Sequence, residues 1–334
     1  MIQLGAGFFH SPPGLRVNVP SGEAVFATLH RRDRVIGLAT GVWIRCRLSG
    51  RPRHFYAPTL PLVEDASLRN AALVSWRAHL AESGAAEVLL DSYDGWEVEP
   101  PLAASRSRRE YVIPLDDGPE QIAARFADTH RRHLDRGRRE GWSLRKPANE
   151  DAIAALRQVQ HHVAHRRELR GDGIDPRLSS LPLLRESGSD SQAFWGVQTY
   201  AAWHDDMLLG AVLIGWANQR GYYILGGSTP EGYRRSTAVW LHWRVMGELA
   251  MHGCKVYNLG GTPASAARPE DPAHGLYRFK SGFGAAAVEC RGACWYLSPG
   301  HLRAHRVARW VVAALQRTPF VVSARRQSPQ RRSG

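Results

Sequence analysis

The feature that most narrows the fold of this 334-residue chain is an internal repeat. Residues 24–48 (AVFATLHRRDRVIGLATGVWIRCRL) and 196–218 (GVQTYAAWHDDMLLGAVLIGWAN) each read as a β-rich run, a charged turn and a second run opened by a glycine, Gly37 or Gly210. That is the pattern of a β-hairpin. Downstream, AALVSWRAHLAESGAAEVLLDSY and AVWLHWRVMGELAMHGCKVYNLGG each place apolar residues at helical spacing, then a glycine suited to a left-handed C-cap (Gly84, Gly253), then a short buried strand. Gly37 precedes Gly84 by 47 residues and Gly210 precedes Gly253 by 43, so both order and spacing recur. The expectation is an α+β chain of two tandem units, residues 1–115 and 116–300, each a mixed sheet packed with helices. A cleft should lie between or beside them. Residues 301–334 are expected to hold a basic amphipathic helix followed by a disordered tail.

Charge points outward. Lys and Arg number 44 against 31 Asp and Glu, a net +13, which favours a polyanionic partner. Only Lys146, Lys255 and Lys280 are lysines, so each marks either a place that wants a compact ammonium or a remnant of arginine-biased coding. A helix expected over 119–140 carries Arg131, Arg132, Arg138 and Arg139, candidates for RNA phosphates against the alternative of a solvated face. A second helix over 150–169 ends near Arg166, Arg167 and Arg170, where guanidinium forks suit an acceptor phosphate; the loop that follows could cover a site. PPLAASRSRRE, residues 100–110, reads as a linker crossing between the units.

Cys46, Cys254, Cys290 and Cys294 lack metal-ligand spacing, so buried thiols and no metal are expected. No run approaches the roughly 18 apolar residues of a spanning helix. The start, MIQLGAGFFHSPPG, lacks the basic stretch and apolar core of a secretory signal. The expected location is therefore the cytoplasm, with the basic tail a candidate for contact with RNA or an anionic membrane surface.

Chemistry concentrates in VYNLGGTPASAARPEDPAHGLYRFKSGFG, residues 256–284. A strand ends in Asn258-Leu259-Gly260-Gly261, a polar loop follows, and Tyr277, Phe279 and Lys280 then set a cation among aromatics and glycines. The order of elements in each repeat resembles the GNAT acyltransferase unit. The 256–284 segment is similar to the end of the second domain of the Fem-type peptidoglycan-bridge aminoacyltransferases, where D-x-G-G precedes G-L-Y-x-F-K-x-G-F. FYAPTLPLVEDASL resembles that family's Y-x-P-x-G-P-V passage, and the basic helix leading into GWSLRK resembles a further motif. The likeness spans about residues 20–297. Asn258 stands where the family often has Asp, Leu62 follows Pro61 where Gly-Pro-Val is usual, and no long charged helical hairpin interrupts the second unit.

The resemblance implies transfer of an aminoacyl group from aminoacyl-tRNA to an amine, on a muropeptide precursor, a nucleotide-linked acceptor or a small secondary-metabolite amine, with no cofactor beyond the tRNA co-substrate. An aminoacyl ester is already activated, so positioning and oxyanion stabilisation matter more than a strong base. The matched motif assigns Lys280 to the tetrahedral intermediate or the leaving ribose oxygen, and Phe279 to shaping the pocket. Gly260 and Gly261 permit close backbone approach, or make a plain tight turn. Tyr222 and Tyr223 alternate faces, and Tyr223 is expected on the acceptor side. Asp91 and Tyr93 are expected at the cleft. Two rivals stay open. An acyl-CoA-dependent N-acyltransferase would need a Q/R-x-x-G-x-G/A loop, which STPEGYRRSTAVWLHW does not supply. A non-catalytic RNA- or nucleotide-binding module would keep the basic surface and dispense with Lys280.

Overall fold

A computed structural model of the chain describes residues 5–17, 19, 22–45, 52–93, 105–169 and 195–298. After the short helix α1 (Pro12–Arg16), the first half runs β1 (Glu23–Arg31), β2 (Arg34–Arg45), β3 (Pro52–Ala57), β4 (Leu62–Val63), α2 (Arg69–Glu82), β5 (Glu87–Leu90) and β6 (Ser105–Pro114). The second half continues with α3 (Pro119–Ala124), α4 (Asp128–Arg139), β7 (Ser143–Arg145), α5 (Asn149–Leu169), β8 (Trp195–His204), β9 (Met207–Ala217) and β10 (Arg220–Ser228). It ends with α6 (Pro230–Arg234), α7 (Thr237–Met251), β11 (Val256–Thr262), α8 (His274–Ser281) and β12 (Ala286–Tyr296).

The repeat is built as its spacing predicts. Two-residue turns close both opening hairpins, and the first turn residue is left-handed in each: Arg32 at φ 55° and Asp205 at φ 51°. The helix that follows in each half stops at a left-handed glycine, Gly84 at φ 87° and Gly253 at φ 74°. Without a Cβ these positions adopt that geometry at little steric cost, and the chain turns directly into β5 or β11.

The twelve strands among the described residues join one sheet, in the order β1-β2-β3-β5-β12-β6-β11-β10-β9-β8-β7, with β4 beside β2. The two halves have exchanged their last strands. β6, which ends the first half, lies antiparallel to β11 of the second; β12, which ends the second, lies antiparallel to β5 of the first. The exchanged strands pair with each other from Ala286 opposite Val112 to Ala293 opposite Ser105. Backbone hydrogen bonds thus bind one half to the other along their full seam. The stretch expected to be a crossing linker is, from Ser105 on, this central strand. In sequence Arg106 and Arg108 alternate with Ser105 and Ser107, matching the two-residue period of a strand.

Packing follows the same logic. β9 is buried along nearly its whole length because α7 covers one face and α5 the other, which explains its unbroken apolar run. α7 contributes the buried Val239, Trp240, Leu241, Val245, Met246 and Leu249 to the main core. Gly137 on α4 lets that helix close on α7, since a Cβ there would stand 2.4 Å from the Trp240 ring. The helix expected over 119–140 is broken: α3 ends before Arg125, and Ala127 turns its N–H to the Gly282 carbonyl at 2.8 Å. Tertiary contact with the segment after Lys280 wins over continuation of the helix. Arg170, the loop after it, the 301–334 tail and Cys46 lie outside the described residues. Among those described, Cys254, Cys290 and Cys294 are buried free thiols, no group of side chains has metal-ligand geometry, and no helix is long and apolar enough to cross a membrane.

Candidate functional site

The site begins where two parallel strands part. β10 and β11 are paired only from Arg220 opposite Val256 to Tyr222 opposite Asn258. Just beyond, β10 shifts register against β9 between Tyr223 and Leu225, and β11 shifts against β6 between Asn258 and Gly261. Such bulges bend a strand and end its pairing. A cavity of about 370 Å³ opens between Tyr223 and Ile224 on one side and Gly260 through Pro263 on the other. The matching pair in the first half stays zipped. β3 and β5 are in register to Ala57 opposite Leu90, and the Asp91 and Tyr93 N–H groups extend the ladder to the Ala57 and Pro58 carbonyls at 2.8 and 3.0 Å. Among the described residues, the fold is repeated but the opening is not.

Three other segments finish the walls. Ser107, Arg108 and Glu110 come from β6, Tyr93 from the first half, and Phe9 and Val17 from the N-terminal segment. Sequence reading gave that segment no structural role, yet FFHSPPG carries a helix start: Ser11 Oγ accepts the Gly14 N–H, and Pro12 and Pro13 occupy the first turn. Phe9 stacks on Tyr93 with centroids 4.4 Å apart and meets Tyr222 edge-on at 5.1 Å, bridging the halves. Phe8 lies against Gly215, where a Cβ would come within 2.5 Å of its ring. Tyr222 therefore packs away from the cavity while Tyr223 faces it, as alternation along β10 requires.

A polar network runs beneath the cavity from one half to the other. Arg108 donates from Nε to Glu110 Oε1 at 2.7 Å, pairs with Asp91 Oδ1 at 2.9 Å and lies over the Tyr93 ring at 3.6 Å. Asp91 also accepts the Tyr56 hydroxyl at 3.0 Å, whose proton burial holds in place well past the ordinary tyrosine range. Glu110, 1% exposed, accepts the Asn258 amide at 2.5 Å on its other oxygen. Asn258 turns its own oxygen to the Gly260 N–H at 2.7 Å. Gly260 is left-handed at φ 75°, and the neighbouring Gly261 carbonyl accepts the Lys280 ammonium at 2.8 Å.

Lys280 sits in the last turn of α8 and is 6% exposed. Its Nζ is close behind the Gly260 wall, since a Cβ on Gly260 would stand 3.5 Å from it, and Lys280 itself is not among the residues that line the cavity. Aromatic rings fix α8. Phe279 and Phe283 meet edge-on at 5.1 Å, and His130 packs edge-on against Phe283 at 4.7 Å. His130 donates from Nε2 to the Phe279 carbonyl at 2.9 Å, which fixes its tautomer because a carbonyl only accepts. A Cβ at Gly282 would stand 2.5 Å from the same ring, so this glycine is required by close approach.

His242 completes the shell. It is buried between Tyr223, Phe279 and Phe283, with Nδ1 2.8 Å from the Tyr257 hydroxyl. Burial, then the Lys280 and His130 charges, push its pKa down to about 3. A histidine depressed in the folded state contributes stability that is full above its unfolded pKa of about 6.5 and is lost as pH falls toward the folded value. Thermal unfolding followed from pH 7 to pH 4 should show a loss of about 1.4 kcal/mol per pH unit from this group. His242→Gln should flatten that slope; an unchanged slope would remove His242 as its cause.

The structure places Tyr223, Gly260, Gly261 and Tyr93 in the cavity lining, Lys280 and Asp91 behind it in contact with the lining residues Gly261 and Arg108, and Phe279 deeper, against His242 and Phe283. Tyr277 is on α8 one turn earlier, edge-on to Tyr111 at 6.3 Å. The Arg167 side chain, like Arg170, lies outside the described residues. Arg131, Arg132, Arg138 and Arg139 are exposed on α4, away from the cavity lining. Arg131 is engaged by Asp128 and the Phe126 carbonyl, and Arg138 grips Glu120 and covers Trp243. Among the described residues no ion pair holds Arg132 or Arg139. Missing from the sequence reading were Arg108 and Glu110, although their i, i+2 spacing on a strand was a usable signal.

Comparison with known proteins fits this geometry. Residues 124–281 match the acetyltransferase (GNAT) domain family. No curated protein matches the chain. Among solved structures, FemX superposes with a TM-score of 0.67 over 87% of this chain and 94% of its own, at 12% identity. A domain named for lysylphosphatidylglycerol synthetase from Agrobacterium fabrum gives 0.53 over 90% and 92%, at 14% identity. L-PGS from Bacillus licheniformis gives 0.51 over 94% and 95%, at 11% identity. The chain thus shares the overall fold of FemX, and within it residues 124–281 match the GNAT acetyltransferase domain family.

Proposed function

We propose that the protein is an aminoacyltransferase that moves an aminoacyl group from aminoacyl-tRNA to an amine acceptor, forming an amide. The observation that carries this reading is the Lys280 ammonium held directly behind the glycine wall of the wedge. The acceptor nitrogen attacks the ester carbonyl, a C–N bond forms, and the C–O bond to the terminal ribose breaks. The ribose oxygen leaves with a proton and the amine's excess proton passes to solvent. Negative charge appears first on the carbonyl oxygen and then on the leaving oxygen, and a preorganised ammonium shielded from bulk water stabilises both. Its hydrogen bond to Gly261 fixes its position before substrate arrives, so little reorganisation accompanies the reaction.

The cavity's size suits an aminoacyl group and the amine end of an acceptor. The neighbours named for lysylphosphatidylglycerol synthesis support handling of aminoacyl groups on this fold and leave a lipid acceptor as a variant of the same reading. Exposed arginines on α4, Arg132 and Arg139 foremost, offer a surface for tRNA phosphates.

One observation favours a second reading, an acyl-CoA-dependent N-acyltransferase: the matched family is described as acetyltransferase. Against it, the glycine of the STPEGYRRS segment is committed to packing. A Cβ on Gly232 would stand 1.9 Å from the Leu209 carbonyl, and its N–H is held by Thr229 Oγ1. Mass spectrometry of products separates the two. Offered charged total tRNA and a panel of amines, the protein should add one amino-acid residue, and RNase pretreatment should abolish the product. Acetylated product from acetyl-CoA, with nothing from tRNA, would replace the first reading with the second.

A further inference from the structure

We propose that Glu110, on the exchanged strand β6, is a positioning residue that sets Lys280 in place through Asn258 and the Gly260–Gly261 bulge. Each link is a direct contact. Glu110 Oε2 takes the Asn258 Nδ2–H at 2.5 Å, which fixes the amide with its oxygen toward Gly260. That oxygen takes the Gly260 N–H at 2.7 Å and holds the bulge in its left-handed turn. The turn presents the Gly261 carbonyl to Lys280 Nζ at 2.8 Å. Gly261 itself has no room for a side chain, since a Cβ would meet the Arg109 carbonyl at 2.9 Å, so the bulge sits close against β6.

The same contacts explain why residue 258 is an amide. It must donate to Glu110 and accept from Gly260 at once, and an ionised carboxylate can only accept. Two carboxylates at 2.5 Å would repel instead of bonding. The identity of residue 258 is therefore tied to residue 110, and the tie crosses between the two halves of the fold: Glu110 is also anchored by Arg108, which reaches Asp91 of the first half. Lys280 is in this way registered against both halves, although it belongs to one.

The catalytic consequence rests on the reading of Lys280 given above; the positioning itself does not. Asn258→Asp should lower kcat about tenfold with KM within about twofold, as expected when one buried hydrogen bond is lost without loss of the binding surface. Glu110→Gln breaks the same bond by another route, because one amide oxygen must then serve both Arg108 and Asn258. The double change Glu110→Gln with Asn258→Asp restores it with reversed polarity. The amide introduced on β6 would donate to the carboxylate introduced on β11 while still accepting from Arg108, and that carboxylate would still accept the Gly260 N–H. Turnover should return to within about threefold of wild type, a strongly non-additive pair.

A readout independent of activity comes from the lysines, of which the chain has only three. In protein labelled with nitrogen-15 at lysine Nζ, the Lys280 resonance should shift and exchange faster with water in either single variant. It should return in the double variant, while Lys146 and Lys255 stay put as references. A Lys280 resonance unmoved in both single variants, or a double variant no nearer wild type than the singles, would overturn the proposal. Should the resonance behave as stated while turnover ignores all three variants, positioning stands and the assignment of Lys280 to the chemistry falls.

Discussion

Lys280→Met should lower kcat by about a hundred- to a thousandfold and leave KM for both substrates within a few-fold. This is the loss seen when one preorganised oxyanion-stabilising donor is removed from a water-excluded site. Methionine keeps the long apolar stem, so the buried position between Phe279 and the bulge stays filled and the fold is little disturbed. What disappears is the ammonium and its bond to Gly261. Because the ester is activated before it reaches the protein, the remaining wedge still aligns the reactants, and residual turnover above background is expected. Steady-state kinetics checks the split between kcat and KM. A variant retaining more than a third of wild-type kcat would place the chemistry elsewhere.

Arg108→Met should have its largest effect on stability. The wild-type guanidinium lies between Glu110, whose side chain is 1% exposed, and Asp91, whose side chain is 11% exposed. Removing the cation leaves two desolvated carboxylates with neutral hydrogen-bond donors and no countercharge, a change that costs about 3–5 kcal/mol. The melting temperature should fall by on the order of 10 °C. The loss is concentrated at the seam, because β6 is the strand that joins β11 to β12. A compensating Glu110→Gln in the same chain should recover part of it, since one uncompensated charge is removed while the hydrogen-bonding shape is kept. Differential scanning calorimetry decides: a melting temperature within about 1 °C of wild type would mean that water reaches these carboxylates after all.

How far the amino-acid sequence reveals this arrangement depends on how local each feature is. The hairpins read at 24–48 and 196–218 and the left-handed Gly84 and Gly253 are written in short-range patterns, and each is present in the fold, the first hairpin as far as Arg45 within the described residues. Strand exchange is not local. Ser105–Glu110 pairs with partners about 150 and 180 residues away in the chain, and its polar composition hides a strand whose one buried carboxylate, Glu110, is satisfied by Arg108. The break at Arg125–Ala127 follows from a single carbonyl, Gly282, reaching in from α8. Lys280 and Phe279 were found through their motif, whereas the residues that hold them, His130, His242 and Asn258, converge only in three dimensions. Phe9 is the clearest omission: an aromatic pair beside Ser-Pro-Pro was legible as a helix start, but its seat between Tyr93 and Tyr222 needs both halves assembled.

The most direct test of the account is a rapid-quench experiment in which the amino acid on the tRNA carries the label and the amine acceptor is in excess. The account predicts that label passes from tRNA to the amine in one phase with wild-type protein, and that with Lys280→Met the label stays on the tRNA at least about a hundredfold longer. Equal transfer by the two proteins, or no transfer while an acyl-CoA is consumed, would contradict it.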